Sequence, residues 1–483
     1  MDEQADQPVL AEFGGGWCLG GPALCNPREA SGEIAGYCES MNVPRRILFL
    51  LQPGTNSRWI FQDLIAGFER AGHSAVVFEL GPLWQMYQAE KAASERLKGH
   101  MTQLLIDTCK TNRIDAAIGM WANSLMTFLN PTVDGKAINV FEAIGLPHML
   151  YWLDAPHWAH DGAIRASLGT SVLRGASMHH CINNRATARE MRDVFGMGHV
   201  HALNYGINEQ VFSPRDTAPE FDCVFGTGPG DAAPTPVALE ELEKDSPDML
   251  RVRRDLADRI GPKLDELSSG SPVLRDLLRE LLTSQLTQRD TPMLDRIEHL
   301  KSASNSFAHG AAMLVQDPRL YIAATDLVRS VERFERAFTF SWMSRRFSCA
   351  MFGSGDLKAW GCRATPIGFV PHHEQAAAYA RGRVGLNAMR WQDDVGSNIK
   401  PLEISASGRV CVMKKRSHVD DLLRPGQEFE EFQELSDGAE IVERLLQDDS
   451  ARTNMAQAAL ERTLSQHTWT HRSGAMLSAM GLA

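Results

Sequence analysis

Short, continuously apolar runs alternate with amphipathic segments along most of this chain, and the alternation limits the possible fold more than any other feature. The first such run spans residues 47–51, and apolar residues at helical spacing follow over residues 59–71. A second run covers residues 75–80. Continuous apolar runs are typical of parallel strands whose two faces are both covered by helices. The sequence therefore predicts an α/β fold built from βαβ units.

The alternation occurs in two blocks, which predicts two domains. A chain of 483 residues exceeds what a single hydrophobic core usually supports. We predict an N-terminal Rossmann-like domain over residues 43–214 and a C-terminal Rossmann-like domain over residues 215–465, facing each other across a cleft. A charged, Leu-rich helical insertion is expected at 236–340. Residues 466–483 are predicted to form a terminal helix that packs back on the N-terminal domain.

Residues 1–42 differ from the rest of the chain in composition. Glycine and other small residues are frequent there, and no periodicity is sustained. Cys18, Cys25 and Cys38 would suit a metal-binding or lid segment, but the composition favours a disordered extension.

The net charge and the cysteines limit the partner and the compartment. A formal net charge of -11 argues against a nucleic-acid backbone as the partner. No apolar run is long enough to cross a bilayer, and the N-terminus lacks the apolar segment of a signal peptide. The cysteines show no C-x-x-C spacing, which favours reduced thiols. We therefore predict a cytoplasmic protein without a transmembrane segment or a nucleic-acid partner.

One sequence of loop, short helix and strand, residues 395–413, contains the strongest candidate binding site. A helix is predicted over residues 399–406. If it begins near Asn398, its free N–H groups and positive dipole would attract an anion, and Lys400 would add a full charge. Glu403, one turn further on, would accept hydrogen bonds from hydroxyls beside that anion. A diphosphate next to a ribose has this order of groups, whereas a solvated amphipathic helix is the structural alternative.

A second candidate follows the predicted strand over residues 148–153. Asp154 and His157 belong to an Asp-x-Pro-His turn at the carboxyl end of that strand. The two side chains would serve as a general base or orient an acceptor hydroxyl. Alternatively, Asp154 only caps the loop and His157 only packs.

A glycine-rich loop that contains Gly228 follows the predicted strand over residues 222–225. Such a loop can cradle a phosphate through its backbone amides, although an ordinary turn is the alternative because no helix follows at once. His372 and His373 do not indicate a metal site, because adjacent residues point in different directions. We predict neither a metal nor a separate cofactor.

The order of the C-terminal segments resembles group 1 glycosyltransferases of the GT-B fold. The resemblance lies in Phe369 and Val370 at a strand end, in VGLN at 384–387, and in Ser397, Asn398, Lys400, Pro401, Leu402, Glu403 and Gly408. Within that family the spore-maturation, CgeB-like branch is the most similar. The similar segments are LLRPGQEFEEF at 422–432, the terminal His467, Thr468, Trp469 and Arg472, and LPHMLYWLDAP at 146–156.

The resemblance implies transfer of a sugar from a nucleotide-sugar donor to an unidentified acceptor, in a cleft between two Rossmann-like domains. We predict a metal-independent reaction, because the helix dipole, Lys400 and Glu403 would hold the nucleotide and stabilise charge on the leaving diphosphate. The resemblance also implies that Glu403 binds the ribose of the donor. On the same basis, Ser397, Asn398 and Lys400 would lie on the diphosphate side and Phe369 and Val370 near the base. The acceptor would enter from the N-terminal domain, where Asp154 or His157 would take or position its proton.

Two departures from the family pattern leave the reaction open. Lys400 stands where relatives often carry Arg, which keeps the charge but loses the two-pronged hydrogen bonding of a guanidinium. Val395 stands where many retaining members carry the first Glu of a Glu-x7-Glu pair, so the sequence does not decide between retention and inversion. A non-catalytic nucleotide- or glycan-binding protein and a sugar-nucleotide epimerase are the alternative functions.

Overall fold

The computed structural model describes residues 43–52, 56–82, 85, 94–122, 127–156, 167–228, 233–391, 395–419 and 421–483. The segment predicted to be a disordered extension, residues 1–42, lies outside the described residues. The same is true of His157, one of the two candidate catalytic residues.

The N-terminal half is organised around a six-stranded parallel sheet in the order β2-β1-β3-β6-β7-β8. Its strands, with a short antiparallel hairpin formed by β4 and β5, are β1 (Arg46–Leu51), β2 (Ser74–Glu79), β3 (Ala116–Met120), β4 (Thr132–Val133), β5 (Lys136–Ala137), β6 (His148–Trp152), β7 (Met178–Ile182) and β8 (His199–Ala202). The helices of this half are α1 (Asn56–Arg70), α2 (Ser94–Asn112), α3 (Val140–Ala143) and α4 (Arg185–Asp193).

Strand β1 shows why the continuous apolar run becomes a central strand. Ile47 and Phe49 pack into a core on one face of the sheet, and Leu48 and Leu50 pack into another core on the opposite face. All four side chains are completely buried. Full burial of such a side chain contributes about 1.5–3 kcal/mol, which a strand with one solvated face would gain only at alternate positions.

The C-terminal half contains a second six-stranded sheet, with all neighbouring strands parallel, in the order β11-β10-β9-β12-β13-β14. Its strands are β9 (Phe221–Thr227), β10 (Cys349–Gly353), β11 (Thr365–Gly368), β12 (Gly382–Asn387), β13 (Val410–Lys414) and β14 (Glu430–Phe432). The α/β fold with two Rossmann-like halves is confirmed. Strand β14 was not predicted, since its three residues carry too little pattern.

Seven α-helices of the described residues lie between β9 and β10 and confirm the helical insertion. They are α5 (Pro236–Leu242), α6 (Met249–Leu267), α7 (Pro272–Thr287), α8 (Met293–Ala303), α9 (Asn305–Gln316), α10 (Pro318–Arg329) and α11 (Glu335–Met343). On α11, Phe340 stacks on Phe225 of β9 with ring centroids 4.1 Å apart. In the N-terminal half, Glu190 accepts hydrogen bonds from Tyr321 and Arg329 of α10, each at 2.6 Å. The insertion therefore packs against both halves.

The chain ends with helices α12 (Gln375–Ala380), α13 (Lys400–Ala406), α14 (Leu435–Gln447), α15 (Asp449–Gln466) and α16 (Trp469–Ala479). Helix α16 lies against α1, where a Cβ placed on Gly67 would be 2.5 Å from the Cβ of Trp469. The Ile207 N–H donates to the His467 carbonyl at 2.8 Å, and the Trp469 N–H donates to the Ile207 carbonyl at 3.1 Å. The C-terminal segment is thus bonded to the N-terminal half.

A buried ion cluster joins the insertion to the second sheet. Glu335, the first residue of α11, accepts from Arg253 at 2.5 Å, from Arg289 at 2.7 Å and from Lys414, the last residue of β13, at 3.2 Å. Burial disfavours the ionised carboxyl group, but the charges of these three cations and of Arg416 outweigh it and hold the pKa of Glu335 well below its usual range. Burial lowers the pKa of Lys414 to about 7. The carboxylate of Glu335 is therefore the group that compensates the buried cations.

Replacing that carboxylate tests the cluster. We expect Glu335→Gln to lower the free energy of unfolding by about 3–5 kcal/mol, because three buried cations would lose their counter-charge. The measurement is urea unfolding followed by circular dichroism. The matched control is Glu298→Gln on α8, which removes an exposed pair with Lys301 and should cost about 0–0.5 kcal/mol. Equal stability of the two variants would contradict the assignment.

Candidate functional site

The strand orders place a crevice in each half. In the C-terminal sheet the chain moves from β9 through β10 to β11 on one side and then returns to β12 on the other side of β9. The strand order therefore reverses between β9 and β12. In the N-terminal sheet it reverses between β1 and β3 in the same way. Open α/β sheets bind ligands in the crevice outside the carboxyl ends of the strands at such a point.

The crevice between β9 and β12 brings together several residues that the sequence singled out. Lys400 extends its ammonium group toward β9, where a Cβ placed on Gly226 would lie 3.2 Å from the Lys400 Nζ. The side chain of Asn398 donates to Asn387 Oδ1, at the end of β12, over 3.2 Å. Gly228 directly follows β9. Gly228, Asn398 and Lys400 thus lie at one crevice.

The N-terminus of α13 differs from the prediction. The helix begins at Lys400, with Ile399 as its cap, rather than near Asn398. The side-chain oxygen of Asn398 accepts from the Lys400 N–H at 3.0 Å, Pro401 has no N–H, and the next two N–H groups donate to the Ile399 carbonyl. The predicted row of free N–H groups is therefore wrong. Positive charge at this crevice comes from side chains.

Glu403 holds the ammonium group of Lys400. Its Oε2 accepts from the hydroxyl of Tyr379 at 3.1 Å and lies 3.6 Å from Lys400 Nζ. Glu403 is only 3% exposed. Burial and the charge of Glu403 raise the pKa of Tyr379, so the phenol keeps its proton and remains a donor. The carboxylate is therefore enclosed by protein partners, and Lys400, whose side chain is 28% exposed, is the member of this group that reaches solvent.

A further cation, Arg390, lies at the same end of β9. It follows β12 by three residues, and a Cβ placed on Gly228 would be 2.8 Å from its Nη2. The sequence reasoning missed Arg390 because loops after strands commonly carry solvated charges. The available signal was its position soon after the VGLN strand.

Ser397 lies at the contact between the halves. Its carbonyl oxygen accepts from Asn183 Nδ2 at 2.7 Å, and Asn183 directly follows β7 of the N-terminal sheet. A Cβ placed on the preceding residue, Gly396, would be 2.7 Å from Asn184 Nδ2. Ser397 is 4% exposed. The carboxyl edges of the two sheets therefore meet here, and Ser397 is enclosed by this contact.

The two residues expected near a base behave differently. Phe369, directly after β11, is 59% exposed. Its ring centroid lies 5.9 Å from that of Trp59 on α1, and Trp59 in turn stacks on His372 at 5.8 Å. Val370 is half-buried against the core. An exposed aromatic ring thus stands at the opening between the halves, beside a tryptophan that the sequence reasoning did not single out.

An ion pair crosses between the halves beneath these rings. His372 Nε2 lies 2.6 Å from Asp63 Oδ2, and the other oxygen of Asp63 accepts from Asn208 at 2.7 Å. Burial disfavours the imidazolium, but the hydrogen bond and charge of Asp63, together with the charge of Glu403, outweigh burial and raise the pKa of His372. His372 therefore links α1 to the C-terminal half as a partly charged pair.

This link should depend on pH. Because the folded pKa of His372 lies above its ordinary value, the stabilisation is complete below about pH 6.5 and declines as the pH rises through the raised pKa. We expect His372→Asn to cost about 1–3 kcal/mol near pH 6 and less near pH 9. The measurement is urea unfolding of both proteins at each pH. His309→Asn, at an exposed histidine of α9, is the control and should show no such trend. A cost that stays constant with pH would refute the charged pair.

The acceptor-side candidates are less well placed. Asp154 is exposed and follows β6, which is separated from the N-terminal crevice by β3. Across that crevice, the side chain of Gln52 after β1 donates to the Met120 carbonyl at the end of β3. The acid/base pair of Asp154 and His157 stays a prediction.

Within the described ranges, no group of three or more His, Cys, Asp or Glu side chains is arranged to hold a metal ion. No helix in these ranges combines the length and apolarity needed to span a membrane. The cysteines of the described ranges are free thiols.

The chain was compared with known proteins at three levels: solved structures, curated sequences and family models. Several solved structures are similar: a glycosyltransferase from Rickettsia africae ESF-5 (8% identity, covering 91% of this chain and 100% of that chain, TM-score 0.47), sucrose-phosphate synthase from Thermosynechococcus elongatus (10%, 90% and 99%, TM-score 0.45) and Anabaena HepE in complex with UDP-glucose (11%, 90% and 100%, TM-score 0.45). No curated protein matches the sequence. Residues 329–478 match the family model described as glycosyl transferase-like. The chain therefore carries a glycosyl transferase-like domain that contains Phe369, Arg390, Lys400 and Glu403.

Proposed function

We propose that this protein is a GT-B glycosyltransferase that moves a sugar from a nucleotide-sugar donor to an acceptor that is still to be identified. One observation supports it most strongly. Lys400, held by Glu403, and Arg390 flank the glycine-rich end of β9 in the crevice where the strand order reverses. Two cations beside glycines suit a diphosphate. Most residues of this crevice belong to the range that matches the glycosyl transferase-like family model.

The proposed donor geometry follows from these positions. The diphosphate would lie between Lys400 and Arg390, whose charged groups rest against Gly226 and Gly228. When the bond to the sugar breaks, negative charge increases on the leaving diphosphate, and the two cations would stabilise it. Because side chains would supply this charge, we propose a metal-independent reaction.

We propose that the base of the donor stacks on Phe369. Phe369 presents an aromatic ring to solvent, since it is 59% exposed, and its neighbour Trp59 would widen the platform from the other half. Val370 would support the ring from the core. The ribose would then lie between Phe369 and Lys400, on the side of Glu403. This placement supports Glu403 as the residue that orients Lys400 beside the ribose.

On the acceptor side, we propose that the substrate enters from the N-terminal half, with Asp154 and His157 as the candidate proton acceptors. The contact between Asn183 and Ser397 brings that half against the donor loop, which would exclude water from the reacting bond. Free thiols in the described ranges agree with a cytoplasmic location.

We propose membership of the CgeB-like branch on the basis of the C-terminal signature. His467, Thr468, Trp469 and Arg472 form the connection between the halves: Arg472 Nε donates to the Asn204 carbonyl at 2.8 Å, while Trp469 is completely buried. A signature with this structural role would be retained in relatives that share the same return of the last helix.

A nucleotide-binding protein that transfers no sugar is the second candidate. The observation that favours it is the burial of Glu403, whose carboxylate is bound by Tyr379 and leaves little surface for a ribose. A transferase would slowly hydrolyse its donor and release free nucleotide. Binding of a nucleotide-sugar without that release would support this candidate over the transferase.

Donor binding can be tested with a panel of UDP, GDP and ADP and their glucose derivatives. We expect the nucleotides of one base to raise the melting temperature of the protein, because a ligand that binds only the folded form stabilises that form. For the nucleotide so identified, Lys400→Met should raise the Kd by about tenfold or more, and Lys400→Arg should raise it by less than about threefold. Isothermal titration calorimetry gives both values.

The control for this series is Lys301→Met, which removes an exposed charge of the insertion that lies 3.3 Å from Glu298. It should leave the Kd unchanged. If no member of the panel changes the melting temperature, or if Lys400→Met binds as well as Lys301→Met, the donor site is assigned to the wrong crevice.

The base platform has its own test. Phe369→Ala should weaken binding of the selected nucleotide by about 1–3 kcal/mol, the usual contribution of stacking between a base and an aromatic ring. Phe369→Trp should retain binding because it keeps a stacking surface. Leu464→Ala, at another exposed apolar side chain, is the control. Inorganic pyrophosphate should bind all these variants equally, and a loss of pyrophosphate binding in Phe369→Ala would argue against a role confined to the base.

A further inference from the structure

The helical insertion reaches the proposed donor crevice through one side chain. Arg336, the second residue of α11, is 8% exposed and donates from Nη2 to the carbonyl oxygen of Gly228 at 3.0 Å. Gly228 directly follows β9, at the point where the crevice opens. An element that a minimal two-sheet fold does not require therefore contacts the backbone at the site.

Gly228 is enclosed on its other sides as well. A Cβ placed on Gly228 would be 2.8 Å from Arg390 Nη2, so the guanidinium of Arg390 lies directly over this glycine. A Cβ placed on Gly355, after β10, would be 2.8 Å from the Gly228 carbonyl oxygen. A shift of the Gly228 peptide would therefore change the surface on which Arg390 rests.

Helix α11 is held rigidly where it makes this contact. All nine of its residues are buried, and Phe340 stacks on Phe225 of β9. Glu335 bonds to Lys414 at the end of β13, and the next residue, Arg336, bonds to Gly228 after β9. Strand β12, which leads to Arg390, lies between β9 and β13. Two consecutive residues of the insertion thus connect the strand ends on both sides of the crevice wall.

We propose that the insertion is a positioning element for the donor: Arg336 fixes the Gly228 carbonyl and thereby holds the guanidinium of Arg390 at the end of β9 that Lys400 also reaches. Arg336 acts through Gly228 and Arg390, and it is a positioning residue without contact to the donor. The inference rests on the proposed function, since it requires the diphosphate to bind in this crevice. It gives the insertion a role in donor affinity in addition to its packing.

The test compares Arg336→Met with Arg336→Lys in the full chain. The probe is the nucleoside diphosphate among UDP, GDP and ADP that binds the wild type most tightly, with its sugar as the donor. Arg336→Met should raise the Kd of the diphosphate by about tenfold. It should also lower kcat/KM for release of free nucleotide from the donor by at least about tenfold, because a displaced Arg390 would stabilise less of the charge on the leaving diphosphate. Arg336→Lys can still donate to the Gly228 carbonyl and should recover most of the affinity.

Two further variants make the result decisive. Arg333→Met removes an exposed arginine of the same insertion and should leave Kd, KM and melting temperature unchanged. Gly228→Ala places a methyl group against Arg390 while Arg336 stays intact, and we expect it to reproduce the loss of affinity. If Arg336→Met does not fold, unchanged binding in Gly228→Ala still overturns the inference, because the position of Arg390 over Gly228 would then not affect affinity.

The outcomes separate this inference from the proposed function. If the wild type binds none of the three diphosphates, the proposed function and this inference both fail. If the wild type binds one of them and Arg336→Met and Gly228→Ala bind it equally well, only the inference is overturned. Equal losses in Arg336→Met and Arg336→Lys would also overturn it, because the hydrogen bond to Gly228 would then be irrelevant to affinity.

Discussion

The carboxyl end of β9 requires glycines, because other groups occupy the space that a side chain would take there. The proposed site depends on this constraint. Gly226 and Gly228 leave room for the ammonium of Lys400 and the guanidinium of Arg390. Gly353, at the end of the neighbouring strand, has a φ of 109°, and a Cβ there would lie 2.1 Å from the Thr227 carbonyl oxygen. Larger residues at these positions would separate the strand ends or displace the cations. The close approach of backbone and charge is therefore a property of the sheet edge.

Burial distinguishes Lys414, a structural cation, from Lys400, which is proposed to meet a ligand. Lys414 ends buried against Glu335, in the cluster that joins the insertion to β13. Lys400 has a carboxylate beside it, in Glu403, yet keeps part of its side chain in solvent. Lys414 at the end of β13 therefore has a structural role, whereas Lys400 at the start of α13 can meet a ligand. Burial decides between the two roles, because a buried ion requires a full set of partners. The insertion supplies those partners for Lys414.

The halves are joined by contacts of different kinds. At the mouth of the cleft the contacts are polar, between Asn183 and Ser397 and between Asp63 and His372. At the far end the return of the C-terminal helix buries Trp469 against α1. The four polar residues are buried, as Trp469 is. The halves are therefore joined by buried contacts both at the cleft and at the far end.

The sequence by itself determined most of the strands, the helical insertion and the positions that have no side chain. The spacing of apolar residues and the occurrence of glycine are local properties of the chain. The apolar runs at 47–51 and 75–80 became β1 (Arg46–Leu51) and β2 (Ser74–Glu79). Only the tertiary structure decided the partners. Helix α13 begins at Lys400, and the Lys400 N–H donates to the side chain of Asn398. Glu403 is buried, and its carboxylate accepts from Tyr379. Arg390 and Trp59 could be identified as site residues only from the tertiary structure. Each contacts residues that are distant in sequence, and such contacts leave no periodic signal in the chain.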